Sequence, residues 1–125
     1  MKVAVVGSRQ AGDQAIRQIL QVLPSNASEI VSGGAAGIDT LASQIAHLLK
    51  LPIRTFLPDY AQYGKKAPLI RNTEIVRYAD LILAFWDGSS HGTQQVVAEC
   101  IRLHKPVRLI SLKETVPSDA DGSCV

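Results

Sequence analysis

Short β-branched apolar runs alternate with longer segments of helical period along nearly the whole chain. No other feature limits the fold as strongly. Residues 2–7 (KVAVVG), 29–32 (EIVS), 52–57 (PIRTFL), 80–86 (DLILAFW) and 106–112 (PVRLISL) read as strands, the first as one buried on both faces and the fourth as the most apolar stretch of the chain. Between them, Ile16, Ile19, Leu20 and Leu23 recur at helical spacing from Asp13 until Pro24 closes the segment. Ile38, Leu41, Ala42, Ile45, Leu48 and Leu49 form a second stripe. Leu69, Ile70, Ile75, Val76 and Ala79 mark a third helix, and residues 93–103 a fourth. Residues 58–68 (PDYAQYGKKAP) show no period and read as a loop.

Strands joined one at a time through helices imply βαβ crossovers and a parallel sheet covered on both faces. The expected fold is therefore α/β: a three-layer Rossmann-like domain of about five parallel strands over residues 1–112. A small, polar tail at 113–125, expected to be poorly ordered, follows it. The length of 125 residues with 46% hydrophobic content suits one such core. A net charge of +2 is too small to argue for nucleic acid by itself. Two cysteines, Cys100 and Cys124, suggest reduced thiols, and the first apolar run is too short for a signal peptide or membrane span. The expected location is the cytoplasm.

Ligands of open parallel sheets bind beyond the carboxyl ends of the strands. The unusual residues of this chain fall in the four turns at that edge. The first carries Gly7, Ser8 and Arg9. In the second, Gly33, Gly34 and Gly37 allow a sharp turn and a close backbone approach just before a helix, whose first N–H groups attract phosphate. Tight strand–helix packing explains the same glycines. Asp39, in the first turn of that helix, either complements the helix dipole or binds a ribose hydroxyl or a metal-bridged phosphate. The fourth turn supplies Gly88, Ser89, Ser90, Gly92 and Thr93 before another helix, as phosphate donors or as an N-cap rich in hydroxyls. Tyr60, Tyr63, Lys65 and Lys66 occupy the third turn, as a lid or as solvated surface, and Trp86 ends the fourth strand, as a stacking platform or core edge. No Cys, His and Asp spacing suggests a metal, and no cofactor is implied.

The segments IVSGGAAGIDTLAS and YGKKAPLIRNTEIVRYADLILAFWDGSSHGT resemble the SLOG superfamily, which joins Smf/DNA-processing protein A to the lonely-guy enzymes. The resemblance runs from Val3 to about Ile110, and the second segment is most similar to small stand-alone members. It implies a nucleotide or nucleotide-derived ligand, its phosphate held by the second and fourth turns, and it brings Arg71 and Asn72 to the pocket. In the phosphoribohydrolase branch, an arginine and a glutamate soon after the Gly-Thr pair serve N-glycosidic cleavage. Arg71 matches the arginine. The acid is replaced by Gln95, and the first acid is Glu99, four residues on along the same helical face.

Three functions follow as expectations. The first is nucleotide binding or sensing in a homodimer or higher homo-oligomer. The second is a nucleoside-phosphate N-glycosidase using Arg71 and Glu99. The third is single-stranded DNA binding over Lys65, Lys66, Arg71, Tyr60, Tyr63 and Trp86.

Overall fold

The computed structural model describes residues 1–8, 14–34 and 37–112. Five strands, β1 (Lys2–Gly7), β2 (Glu29–Ser32), β3 (Ile53–Thr55), β4 (Leu81–Trp86) and β5 (Val107–Ser111), form one all-parallel sheet of order β3-β2-β1-β4-β5. Helices α1 (Gln14–Val22) and α2 (Ile38–Leu48) cover one face. Helices α4 (Ala67–Tyr78) and α5 (His91–Arg102) cover the other. The expected three-layer Rossmann-like architecture is thus the observed one.

Alternation along the strands divides the core in two. Val3, Val5, Ile30, Leu83 and Phe85 pack against Ile19 of α1 and Ile38, Leu41 and Ile45 of α2. Ala4, Val6, Val31, Ile82 and Ala84 pack against Ile75 and Val76 of α4 and Val96 and Cys100 of α5. Complete burial of each large apolar side chain contributes on the order of 1.5–3 kcal/mol. Burial in the same layer pushes the Cys100 thiol up to about 11, which leaves it an inert core residue.

Two elements differ from expectation. Residues 58–68 are structured: Asp59 caps a short helix, α3 (Tyr60–Tyr63), by accepting a bond from the Gln62 amide at 3.1 Å, and a 3-10 turn (Gly64–Lys66) leads into α4. Neither short element buries a residue, so no apolar period exists to announce it. Strand β3 is shorter than the 52–57 run and exposed throughout, being an edge strand held only by β2. The expected tail at 113–125 lies outside the described residues.

The sheet order reverses between β1 and β4, which opens a crevice at their carboxyl ends. Gly7 sits there under contact too close for any side chain: a Cβ would lie 2.4 Å from the Phe85 carbonyl oxygen and 2.8 Å from Ile38 Cγ1. Because the first neighbour is backbone, Gly7→Ala is expected to cost about 1–3 kcal/mol of unfolding free energy in a denaturant titration. Gly92→Ala, with open space around its Cβ, is expected to leave stability unchanged or slightly raised.

Candidate functional site

The crevice widens into a cavity of about 450 Å³. Its floor is apolar, from Val6, Ile75 and Val96. Polar groups rise around that floor from three elements: Asp39 from α2, Arg71 and Asn72 from α4, and the turn between β4 and α5 with Asp87, Ser89 and Ser90. Gly7, Gly33, Gly92 and Thr93 complete the described lining.

Arg71 crosses from α4 to the turn after β2. Its Nη1 donates to the Gly33 carbonyl at 2.7 Å, and its Nε donates to Asn72 Oδ1 at 2.8 Å. Asn72, buried, passes its Nδ2 donor on to Gln95 Oε1 at 2.6 Å. Gly33 must lack a side chain for this to happen. A Cβ there would meet Arg71 Nη1 at 2.8 Å and Asp39 Oδ2 at 3.1 Å, so cation and carboxylate converge on one point of the cavity wall. Asp39 itself is 7% exposed.

The turn after β4 is organised by Asp87. Its Oδ1 accepts from the amides of Ser89 (2.9 Å) and Ser90 (2.8 Å), and these bonds lower its pKa. Trp86 Nε1 donates to the Ser90 carbonyl at 2.9 Å, so its indole N–H is engaged in closing the turn. Gly88 turns the chain at φ +93° in open space. Helix α5 then begins with its first-turn N–H groups beside the cavity; such groups lack intrahelical partners.

Of the residues singled out from sequence, Gly7, Gly33, Asp39, Arg71, Asn72, Ser89, Ser90, Gly92 and Thr93 come together here. Ser8, Gly34, Gly37, Gly88 and Glu99 are not in the described lining. Arg9 lies outside the described residues. Ser8 is buried behind the crevice, where its Oγ accepts from the Asp87 amide at 3.1 Å. Gly34, at φ +75°, packs its backbone against Leu57 and Thr55, and Gly37 caps α2 at φ 74°. Asp87, in the lining, was not singled out from sequence, and Gln95, behind it, stood out only as the position of a replaced acid. The Asp-Gly pair ending a strand was the available signal for Asp87, whereas nothing in the sequence pairs Gln95 with Asn72.

Glu99 occupies a different place. Its carboxylate takes two bonds from Arg102, Nε at 2.9 Å and Nη2 at 2.6 Å, and one from Thr73 Oγ1 at 2.7 Å. The Arg102 bonds first, and then that of Thr73, outweigh burial and hold its pKa at about 2. Among the described residues no group of His, Cys, Asp and Glu is arranged to hold a metal ion. None of the described helices is long and apolar enough to cross a membrane.

A doubly covered parallel sheet with a polar-walled cavity at its switch point defines a Rossmann-like domain with a carboxyl-edge cavity. Comparison with known proteins narrows this class. The chain belongs to the DNA recombination-mediator protein A family, whose profile matches residues 1–63, just over half of it. This bears out the resemblance to the DNA-processing branch. The chain is also 37% identical over 84 residues to the Gene 61 protein of Mycobacterium phage D29, an alignment covering 62% of this chain and 67% of that one. No solved structure matches it significantly.

The depressed pKa of Glu99 fixes the sign of a pH effect. Its contribution to stability is fully present above the ordinary carboxyl value of 4.5 and fades as pH falls toward about 2. Glu99→Gln is expected to lower stability by about 1 kcal/mol at pH 7, given the exposed partner arginine. At pH 2 the difference between its denaturation midpoint and that of the wild type should have largely disappeared.

Proposed function

We propose that the domain binds a nucleoside monophosphate or a closely related nucleotide in the cavity at the β1–β4 switch point. The phosphate rests between the Arg71 guanidinium and the first turn of α5, and Asp39 accepts from a ribose hydroxyl. The observation that carries this is the anchoring of Arg71 on the Gly33 carbonyl, across from the Gly92–Thr93 helix start. An arginine already held at the cavity wall brings its positive charge to phosphate at little entropic cost, and a helix N-terminus adds oriented N–H groups. The carboxylate of Asp87, met by two backbone amides, opposes the anion less than a bare one would. A cavity of about 450 Å³ falls within the range of small-ligand sites.

The proposal is for binding without glycosidic cleavage through Glu99. That carboxylate is committed to Arg102 and Thr73, and the residue nearer the Gly-Thr pair is the neutral Gln95, whose oxygen is taken by Asn72. An amide cannot stabilise an oxocarbenium-like centre with a full charge.

Isothermal titration with adenosine 5′-monophosphate and adenosine tests the reading. The monophosphate is expected to bind more tightly, and Arg71→Ala should weaken it roughly ten- to a hundredfold, as expected for a lost charge-assisted pair. Chromatography should recover the nucleotide intact after incubation. Equal affinity for both compounds would refute the phosphate site, and released adenine would restore the hydrolase reading.

One observation favours a second reading, in which the bound nucleotide is the end of a single DNA strand. Arg71 also lines a neighbouring cavity of about 230 Å³ together with Leu57 and Tyr63, beside the carboxylates of Asp59 and Glu74. The exposed Tyr60, Lys65 and Lys66 belong to the same short segment. Aromatic and basic side chains in that arrangement suit stacked bases and phosphates. Family membership points the same way. This reading predicts that Lys65→Ala/Lys66→Ala weakens binding of a short oligonucleotide and flattens its salt dependence by roughly one to two counterions, with monophosphate affinity preserved.

A further inference from the structure

Two polar links join α4 to α5, and they differ in where they lead. One, Thr73–Glu99–Arg102, lies outside the cavity lining and closes on itself. The other begins at the cavity wall and runs from Arg71 through Asn72 to Gln95. Its direction is dictated by chemistry. An arginine Nε can only donate, so Asn72 must present its amide oxygen to it. The Asn72 amino group is thereby turned toward α5, where Gln95 must present an oxygen in its turn. Gln95 itself is half-buried and absent from the described lining of the cavity.

Cohesion of the two helices does not depend on this second link. Ile75, Val76, Val96 and Cys100 pack in one buried layer beneath them, and Glu99 bridges to Thr73 a turn further along α5. What the link adds is a fixed partner for each end of the Asn72 amide, and a second contact for the Arg71 guanidinium beside the one to Gly33.

We propose that Gln95 is a positioning residue: through Asn72 it holds Arg71 facing the cavity, and so sets the preference for a phosphorylated ligand over the same ligand without phosphate. The inference rests on the nucleotide reading above. A guanidinium held at both Gly33 and Asn72 before binding surrenders less freedom to the phosphate, whereas one that has lost the Asn72 bond is held less tightly and leaves more ordering to the ligand. A neutral ligand gains nothing from that order.

The test compares wild type with Gln95→Met, which keeps length and loses the acceptor, and Gln95→Glu, whose carboxylate accepts the same bond from Asn72. Adenosine 5′-monophosphate and adenosine are titrated calorimetrically into each, and the Arg71 Nε–H resonance is followed by NMR. In Gln95→Met the monophosphate should weaken roughly three- to tenfold while adenosine is unchanged. The Arg71 Nε–H should exchange faster with water, and Gln95→Glu should recover most of both effects. Equal weakening of the two ligands in Gln95→Met, or an unchanged ratio with an unchanged Nε–H signal, would overturn the positioning role and leave the nucleotide site standing. If wild type itself fails to distinguish monophosphate from adenosine, the nucleotide reading falls and this inference falls with it.

Discussion

One contact organises the functional edge of this domain: the Arg71 guanidinium on the Gly33 carbonyl. It ties α4, on one face of the sheet, to the turn that launches α2 on the other. It is possible only because position 33 has no side chain, since a Cβ would lie within 3.2 Å of three guanidinium and carboxylate atoms. The same absence of a side chain at Gly7 lets α2 approach β1 and β4 closely enough for Ile38 to meet the strand ends. The cavity is thus what remains when two glycines allow a helix and an arginine to close in around a switch point.

The polar side chains between α4 and α5 then divide into two kinds of work. Glu99, drawn to a pKa of about 2 by Arg102 and Thr73, is a fastener for the helix pair. Such a carboxylate is poorly suited to a role that needs it to change protonation or move. Asn72 and Gln95 are uncharged, and each uses one end of its amide to orient the next group. Replacing an acid by glutamine beside the Gly-Thr pair therefore substitutes an orienting group for a reactive one. That difference is the ground on which binding without cleavage is proposed.

The fold was legible wherever burial was two-sided. Strand β4 is a continuous apolar run because helices cover both its faces, and α2 shows its stripe because Ile38, Leu41, Ala42 and Ile45 are buried, whereas Leu48 and Leu49 at its end are exposed. Legibility failed where burial was absent: α3 with the following 3-10 turn buries nothing and was not foreseen, and β3, legible as a strand, is exposed along its length and shorter than its apolar run. Three of the four expected turns, those after β1, β2 and β4, reach the cavity, since parallel topology brings strand ends together; the third, with Tyr60, Tyr63, Lys65 and Lys66, is not in its described lining. Which glycine serves which purpose was not legible. Gly7 answers to Phe85, far along the chain, and Gly34 to Leu57, and only the assembled sheet shows it. The pairing of Glu99 with Thr73 was hidden for the same reason, whereas its pairing with Arg102, three residues on, lay open in the sequence.

The central claim is spatial, and a crystal structure of the protein with adenosine 5′-monophosphate tests it most directly. The account predicts phosphate density within hydrogen-bonding distance of Arg71 and of the first-turn amides of α5, with Glu99 still bonded to Arg102 and Thr73. A phosphate lodged instead against Lys65 and Lys66, with the β1–β4 crevice filled only by water, would contradict it.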